Sequence, residues 1–298
     1  MGLKEITRSP VKAESSDRYA GSCMLKHRQV MKVLYFLFSL CVVPMLACSN
    51  ASAQEQGTGS VSGKLLTKDG KPMSGGLAYF LSADGPAPDP EKYWRVPEYL
   101  VEITDKGTFS LELPEGSYYF GAIKKREGKT ESGPPQAGDV FYRDLDTKGN
   151  LKVHVVRKGK KLKLGTMTAG RPFLGLVGKD AVSAIEGRVI TSDGGPVAGA
   201  LVFVYLSEEM KGKPAFASYR TGIDGRYLVR VHEGGNFYLR VRDHYGGGQP
   251  EPGDLMGVYG GEVPSVVSVR TGESTTGRDI TVERFKGRGQ QYQQGGPP

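Results

Sequence analysis

A stretch of 21 residues occurs twice in this chain, and any fold has to accommodate both copies. Residues 61–81 read VSGKLLTKDGKPMSGGLAYFL and residues 185–205 read IEGRVITSDGGPVAGALVFVY, at a constant offset of 124 with no gap. Gly63, Thr67, Asp69, Gly70, Pro72, Gly75 and Leu77 meet Gly187, Thr191, Asp193, Gly194, Pro196, Gly199 and Leu201. Self-similarity at a fixed offset marks a duplicated module. Val61, Gly63 and Leu65 alternate with Ser62 and Lys64, which gives a strand with one face toward a core. Asp69-Gly70-Lys71-Pro72 is turn chemistry, because Gly supplies a positive φ and Pro pre-sets its own. Residues 77–81 are an uninterrupted apolar run of strand length, as expected for a strand buried in a sandwich.

The rest of each module follows the same logic. A long Pro-rich loop, residues 82–97, holds the chain's single tryptophan, Trp94. The turn Thr104-Asp105-Lys106-Gly107 leads into Phe109, Leu111 and Leu113, which alternate with Ser110 and Glu112; Pro114-Glu115-Gly116 closes that hairpin and residues 117–123 return. Further on, Val153 and Val155 alternate with Lys152 and His154, and Leu162, Leu164 and Met167 form a last strand after the basic run 157–161. That run reads as a solvated turn, with electrostatic binding as its alternative. In the second copy Phe237, Leu239 and Val241 alternate with Tyr238, Arg240 and Arg242, and Pro250, Gly253 and Asp254 match Pro135, Gly138 and Asp139. The duplication therefore covers a whole domain.

The pattern resembles the carboxypeptidase regulatory-like family, also called transthyretin-like or prealbumin-like. The residues that carry the resemblance are Gly63, Asp69, Gly70, Pro72, Gly75, Thr104, Asp105, Gly107, Phe109, Leu111, Leu113, Pro114, Gly116 and Tyr118. In the second copy they are Gly187, Asp193, Gly194, Pro196, Gly199, Ala200, Thr221, Gly225, Tyr227, Val229, Val231, Gly234 and Phe237. The second copy has Gly222 in the Asp position and His232 where the Pro belongs. The resemblance implies two tandem antiparallel, Ig-like or prealbumin-like β-sandwiches of about seven strands each, an all-β chain. It implies no particular activity, because one scaffold hosts many functions.

The net charge of +8 raises the question of a nucleic-acid partner. Half of that excess lies in residues 1–47, where Lys4, Arg8, Lys12, Arg18, Lys26, Arg28 and Lys32 face only Glu5, Glu14 and Asp17. The remainder is ordinary for a soluble pair of domains, and no nucleic-acid partner is expected. Residues 33–47 form an apolar run preceded by Lys26, Arg28 and Lys32 and interrupted by Pro44; a spanning helix needs about 20 apolar residues, so the run reads as a secretory signal. Residues 1–30 are polar and read as a non-native or disordered extension, with the signal region at 31–53. Two cleavage sites compete there. Met45-Leu46-Ala47-Cys48 resembles a bacterial lipobox, which would lipidate Cys48, and Ala51-Ser52-Ala53 resembles an ordinary signal-peptidase site. Ser49 favours, by resemblance to Gram-negative lipoproteins, the outer membrane; the compartments expected are the outer membrane, the periplasm or the cell surface. A linker follows at 54–60, then module one at 61–171, module two at 184–285 and a tail at 286–298 without periodic apolar residues.

All three cysteines, Cys23, Cys41 and Cys48, precede the modules, which excludes a disulfide framework and a Cys-based zinc site there. His27, His154, His232 and His244 show no metal-ligand spacing, and no HExxH or Gly-x-Ser-x-Gly motif occurs. No metal, cofactor or catalytic residue is expected, and the chain reads as a non-enzyme. The functional candidates are aromatic. Tyr93, Trp94 and Tyr99 lie in or beside the long loop, where an exposed ring can stack on a sugar or fill a partner's pocket, or else simply cover the open end of the sandwich. The recurring loops GPPQAGDVFY and GQPEPGDLMGVY supply Asp139, Tyr142, Asp254 and Tyr259, either as ligand contacts or as turn chemistry. The expected partners are envelope proteins or surface glycans, with an N-terminal lipid anchor in the membrane. The expected role is a non-catalytic envelope binding or scaffolding lipoprotein; the alternative is a carbohydrate-binding accessory module of an extracellular enzyme system.

Overall fold

The computed structural model describes residues 57–126, 133–178, 182–245 and 248–287. The expected signal, Cys48 and the tail from 288 onward lie outside the described residues. Gln56–Pro298 forms one compact unit, and every regular element in its described residues is a strand.

The first module contains β1 (Thr58–Thr67), β2 (Leu77–Ser82), β3 (Tyr99–Glu102), β4 (Thr108–Pro114), β5 (Gly116–Lys124), β6 (Val140–Arg143), β7 (Val153–Val156) and β8 (Lys161–Pro172). β4, β1 and the first part of β8 make one layer, with β1 antiparallel to β4 and parallel to β8. β3, β2, β5 and β6 make the other, and β7 continues the β6 edge of β5 at its N-terminal half. β8 joins the layers, because its last residues leave β1 and pair Pro172 with Val140 on β6. The core between the layers holds Val61, Leu65, Phe109 and Leu113 against Ala78, Phe80, Phe120 and Ala122.

The second module repeats this order as β9 (Ser183–Thr191), β10 (Leu201–Tyr205), β11 (Phe216–Ala217), β12 (Arg226–Val231), β13 (Gly235–Arg242), β14 (Leu255–Val258), β15 (Val267–Val269), β16 (Ser274–Thr275) and β17 (Ile280–Arg284). β16 and β17 run parallel to β9 in succession and together take the place of β8. Among the described residues the modules therefore show eight and nine strands, where about seven each were expected. The additions are short, and the ninth arises because one strand is broken in two.

The repeated residues have local reasons. In β8 the pairing with β1 slips between Ser62 and Lys64, a bulge at which Gly165 takes φ 77°. Gly63 lies under that bulge: a Cβ there would come within 2.9 Å of Met167 and Phe109. At Gly187 a Cβ would lie 2.3 Å from the Arg278 carbonyl, where β16 passes into β17. The strand-turn glycine thus permits an irregular neighbour to cross close to β1 and β9. In the turn, Thr67 donates its hydroxyl to Asp69 and Thr191 donates to Asp193. These bonds hold both carboxyls below the usual Asp range, the Thr hydroxyl being the largest cause in each case. A depressed carboxyl stabilises the fold above its unfolded pKa, and the contribution disappears as pH falls through the folded value. Accordingly, Thr67→Val and Thr191→Val should each raise the midpoint of the neighbouring Asp in an NMR titration. Unchanged midpoints would contradict the assignment.

Candidate functional site

The apolar runs 77–81 and 201–205 each face two ways. Ala78 and Phe80 enter the first core, and Val202 and Val204 enter the second. Their alternates, Tyr79 and Leu81 on β2 and Leu201, Phe203 and Tyr205 on β10, meet in a third cluster that joins the modules. The two sheets pack outer face to outer face, which is why neither strand carries the polar alternation of a solvated sheet.

The long loop seals this seam. Trp94 is 7% exposed and packs edge-on to Tyr79 with ring centroids 5.8 Å apart. Its indole Nε1 is buried with no acceptor among the described residues. Tyr93 passes into the second module's core, edge-on to Phe216 at 5.8 Å and to His232 at 5.4 Å. Its hydroxyl donates back to the Ala87 carbonyl, and burial raises its pKa well above the usual phenol value. Backbone bonds run alongside: Val96 N donates to Ala215 O at 3.0 Å, and Arg95 bridges to Phe216 on β11. The loop is tied to its own module by Arg143, which reaches Asp89 and Glu91 at 3.6 Å, and by Arg171, 2.9 Å from Glu91. Trp94 and Tyr93 therefore present no open ring to a sugar. Nor does Trp94 cover the open end of its own sandwich; it belongs to the seam.

Tyr99, partly buried on β3, stands edge-on to Tyr118 and carries the Lys213 ammonium 5.2 Å above its ring. Partial desolvation holds Lys213 below the ordinary lysine value. Tyr142 is a core residue whose hydroxyl donates to Asp144 at 3.0 Å. Tyr259 is partly buried against the second core. Asp139 and Asp254 do the same work in both copies. Each accepts from the backbone N–H three residues earlier, Gln136 at 2.8 Å and Glu251 at 2.8 Å. In each copy the Asp carbonyl accepts from the N–H of the phenylalanine just past the last strand, Phe173 or Phe285, whose own carbonyl accepts from the preceding glycine, Gly138 or Gly253. Asp139 additionally pairs with Lys125 at 3.2 Å. The recurring Asp is thus explained by loop closure onto β8 and β17. The first of these loops also joins the seam, since the Tyr219 hydroxyl, its pKa pushed up to about 12 by burial, donates to Pro135 O at 2.6 Å.

Where the seam opens, it leaves a cleft of about 950 Å³ between residues 82–98 of one module and residues 205–216 and 232–237 of the other. Arg95 lies in its wall, 7% exposed, 2.5 Å from Glu98 and donating to Pro86 O at 2.7 Å. Glu98 accepts from Ser82 N at 3.2 Å. Lys211, Lys213, Asp84 and Glu233 add charge of both signs, while Val96, Tyr205, Pro214 and Phe237 supply apolar wall. A concave surface with apolar walls and a few fixed polar groups is the usual form of a binding site. Asp84, Pro86, Arg95 and Val96 of this wall belong to the long loop singled out from sequence, and Glu98 follows it directly. The missed signal was the period of the runs 77–81 and 201–205, which leaves no polar face for solvent.

Among the described residues, Asp243, His244 and Asp254 have donor atoms within 4.8 Å of one another. The loop uses these groups itself: Asp243 accepts from Leu255 N at 3.1 Å, and Arg284 lies 3.8 Å from the same carboxylate oxygen.

No protein-family model matches the sequence, and comparison with curated proteins finds no match. Several solved structures match the chain at low identity. The Bacillus anthracis TIE protein matches at 15% identity over 76% of this chain and 34% of its own, with a TM-score of 0.24. A streptococcal ancillary pilin matches at 14% identity over 77% and 63%, TM-score 0.23. The minor pilin GBS52 of Streptococcus agalactiae matches at 13% identity over 76% and 97%, TM-score 0.23. This chain thus spans about a third of the first of these proteins.

Proposed function

We propose that this chain is an exported envelope protein, anchored through Cys48, that binds and scaffolds partners without chemistry of its own. Its two modules, read as carboxypeptidase regulatory-like, are fused by the Tyr93-Trp94 loop into one rigid body, and the partner is received in the cleft beside that loop. The observation that carries this reading is the cleft itself, with walls drawn from both modules. Neither module alone could form it, which gives the duplication a purpose.

A protein surface is the favoured occupant, because the loop's tryptophan is committed to the seam and offers no stacking platform to a sugar. The test places a photoreactive side chain at Leu206, which lines the cleft and is 68% exposed, and at Ile223, 93% exposed and outside the cleft lining. Leu206 should capture a discrete envelope partner that Ile223 does not. Identical adducts from both positions, or none from Leu206, would contradict the cleft as the binding face. Specific binding on a glycan array would instead favour the carbohydrate-binding alternative.

A further inference from the structure

The folded unit starts against a basic surface. Glu115 N donates to Gly57 O at 2.8 Å, Gly159 N donates to Thr58 O at 2.8 Å, and Ser60 N donates to Lys160 O at 3.0 Å. The fit is close: a Cβ at Gly59 would lie 2.4 Å from the Arg157 carbonyl. The chain therefore enters β1 alongside the turn that joins β7 to β8. Arg157, Lys158, Lys160, Lys161 and Lys163 are all exposed there, and none is ion-paired among the described residues. Leu162 and Leu164 pack against the core, so Lys161 and Lys163 point outward from the β4-β1-β8 layer. Across that face stand Ser60 and Ser62 on β1, paired with Lys161 and Lys163, and then Glu112 and Ser110 on β4. Glu112 and Glu115 are the nearby acids, so the rim remains cationic.

The sequence supplies the other half. Cys48 closes the apolar run ten residues before Thr58, and ten residues span at most about 33–36 Å. A chain anchored at Cys48 would hold the rim close to the headgroups. Cationic side chains near an anionic leaflet are attracted by its surface potential, over roughly a Debye length of 8–10 Å.

We propose that the rim at 157–163 binds the anionic phosphate headgroups of the leaflet that carries the anchor, and so orients the rigid body with that end of module one on the membrane. The proposal rests on the anchored reading given above. Its test separates the two. A chain beginning at Gln54, which lacks Cys48 and contains the whole compact unit, is mixed with phosphatidylcholine vesicles with and without phosphatidylglycerol, at low and high salt. It should sediment only with the anionic vesicles and only at low salt. Lys158→Glu, Lys160→Glu, Lys161→Glu and Lys163→Glu together should lower the partition coefficient by roughly 600-fold, each residue contributing roughly fivefold. Its thermal unfolding midpoint should stay unchanged, because the four side chains are exposed and unpaired. Competition by inorganic phosphate at constant ionic strength would mean a free-phosphate site and would overturn the headgroup assignment. Equal binding to both vesicle types, or none, would overturn the proposal outright. The anchor is read separately, in cells: wild type should fractionate with membranes and Cys48→Ala should not. If both are released alike, the anchor reading fails whatever the vesicles show.

Discussion

Trp94→Ala should lower the stability of the folded unit by about 3–5 kcal/mol, the range for removing a buried large aromatic side chain. The ring is buried among Tyr79, Leu81 and Ile123 of one module and Leu201, Phe203 and Ala217 of the other, so the void opens in the seam and neither sandwich core is touched. The expected urea profile, followed by far-UV circular dichroism, is correspondingly specific: one steep wild-type transition becomes two shallower ones as each module unfolds separately. A slope change of that kind signals lost two-state behaviour. A substitution at an exposed loop position would shift the midpoint by a few tenths of a kcal/mol and leave the shape alone. That milder result would mean the loop lies on the modules without joining them. Trp94 and Tyr93 are neighbours sharing one seam, so their alanine costs should not add.

The second large effect concerns module one alone. Asp144 is 5% exposed and gathers the Tyr142 hydroxyl at 3.0 Å, His154 Nε2 at 2.8 Å and Lys152 Nζ at 3.2 Å. It links β6 to β7, which share one edge of β5 in succession. Burial and then the Asp144 carboxylate raise the Tyr142 phenol above its usual range, so the hydroxyl stays protonated and donates. Asp144→Ala leaves that donor and His154 without their acceptor and should cost about 3 kcal/mol, the lower end for breaking a buried network by removing one partner. Asp144→Asn, which keeps an acceptor oxygen, should cost less. The check is equilibrium unfolding with amide exchange. Protection should fall first at β7, and equal losses for Ala and Asn would mean that packing, not the network, sets the cost.

The sequence was most legible where the physics is local. The turn at Asp69-Gly70, its twin at Asp193-Gly194, and the alternation along β4 and β13 depend on φ preferences and a period of two, and both are visible in one strand at a time. The strand count was harder, because β7 is four residues long and β16 is two. The role of the long loop was not legible. Trp94 stands beside Tyr93 in sequence, yet Tyr93 joins the second module's core and Trp94 joins the seam, a division set by partners more than a hundred residues away. The same holds for Asp144 and His154, ten residues apart with no motif between them. Asp139 and Asp254 recur in the sequence, and their matching bonds to Gln136 and Glu251 give the repeat a role in loop closure.

The central claim is that the two sandwiches unfold as one cooperative unit, and the chain carries its own reporter for it. Trp94 is the single tryptophan and sits in the seam. Its fluorescence therefore reports the seam, while far-UV circular dichroism reports the strands of both modules. On urea unfolding of the wild-type protein the two signals should trace one superimposable transition. A fluorescence change that is complete while the strand signal is still native would show two independent modules and contradict the account.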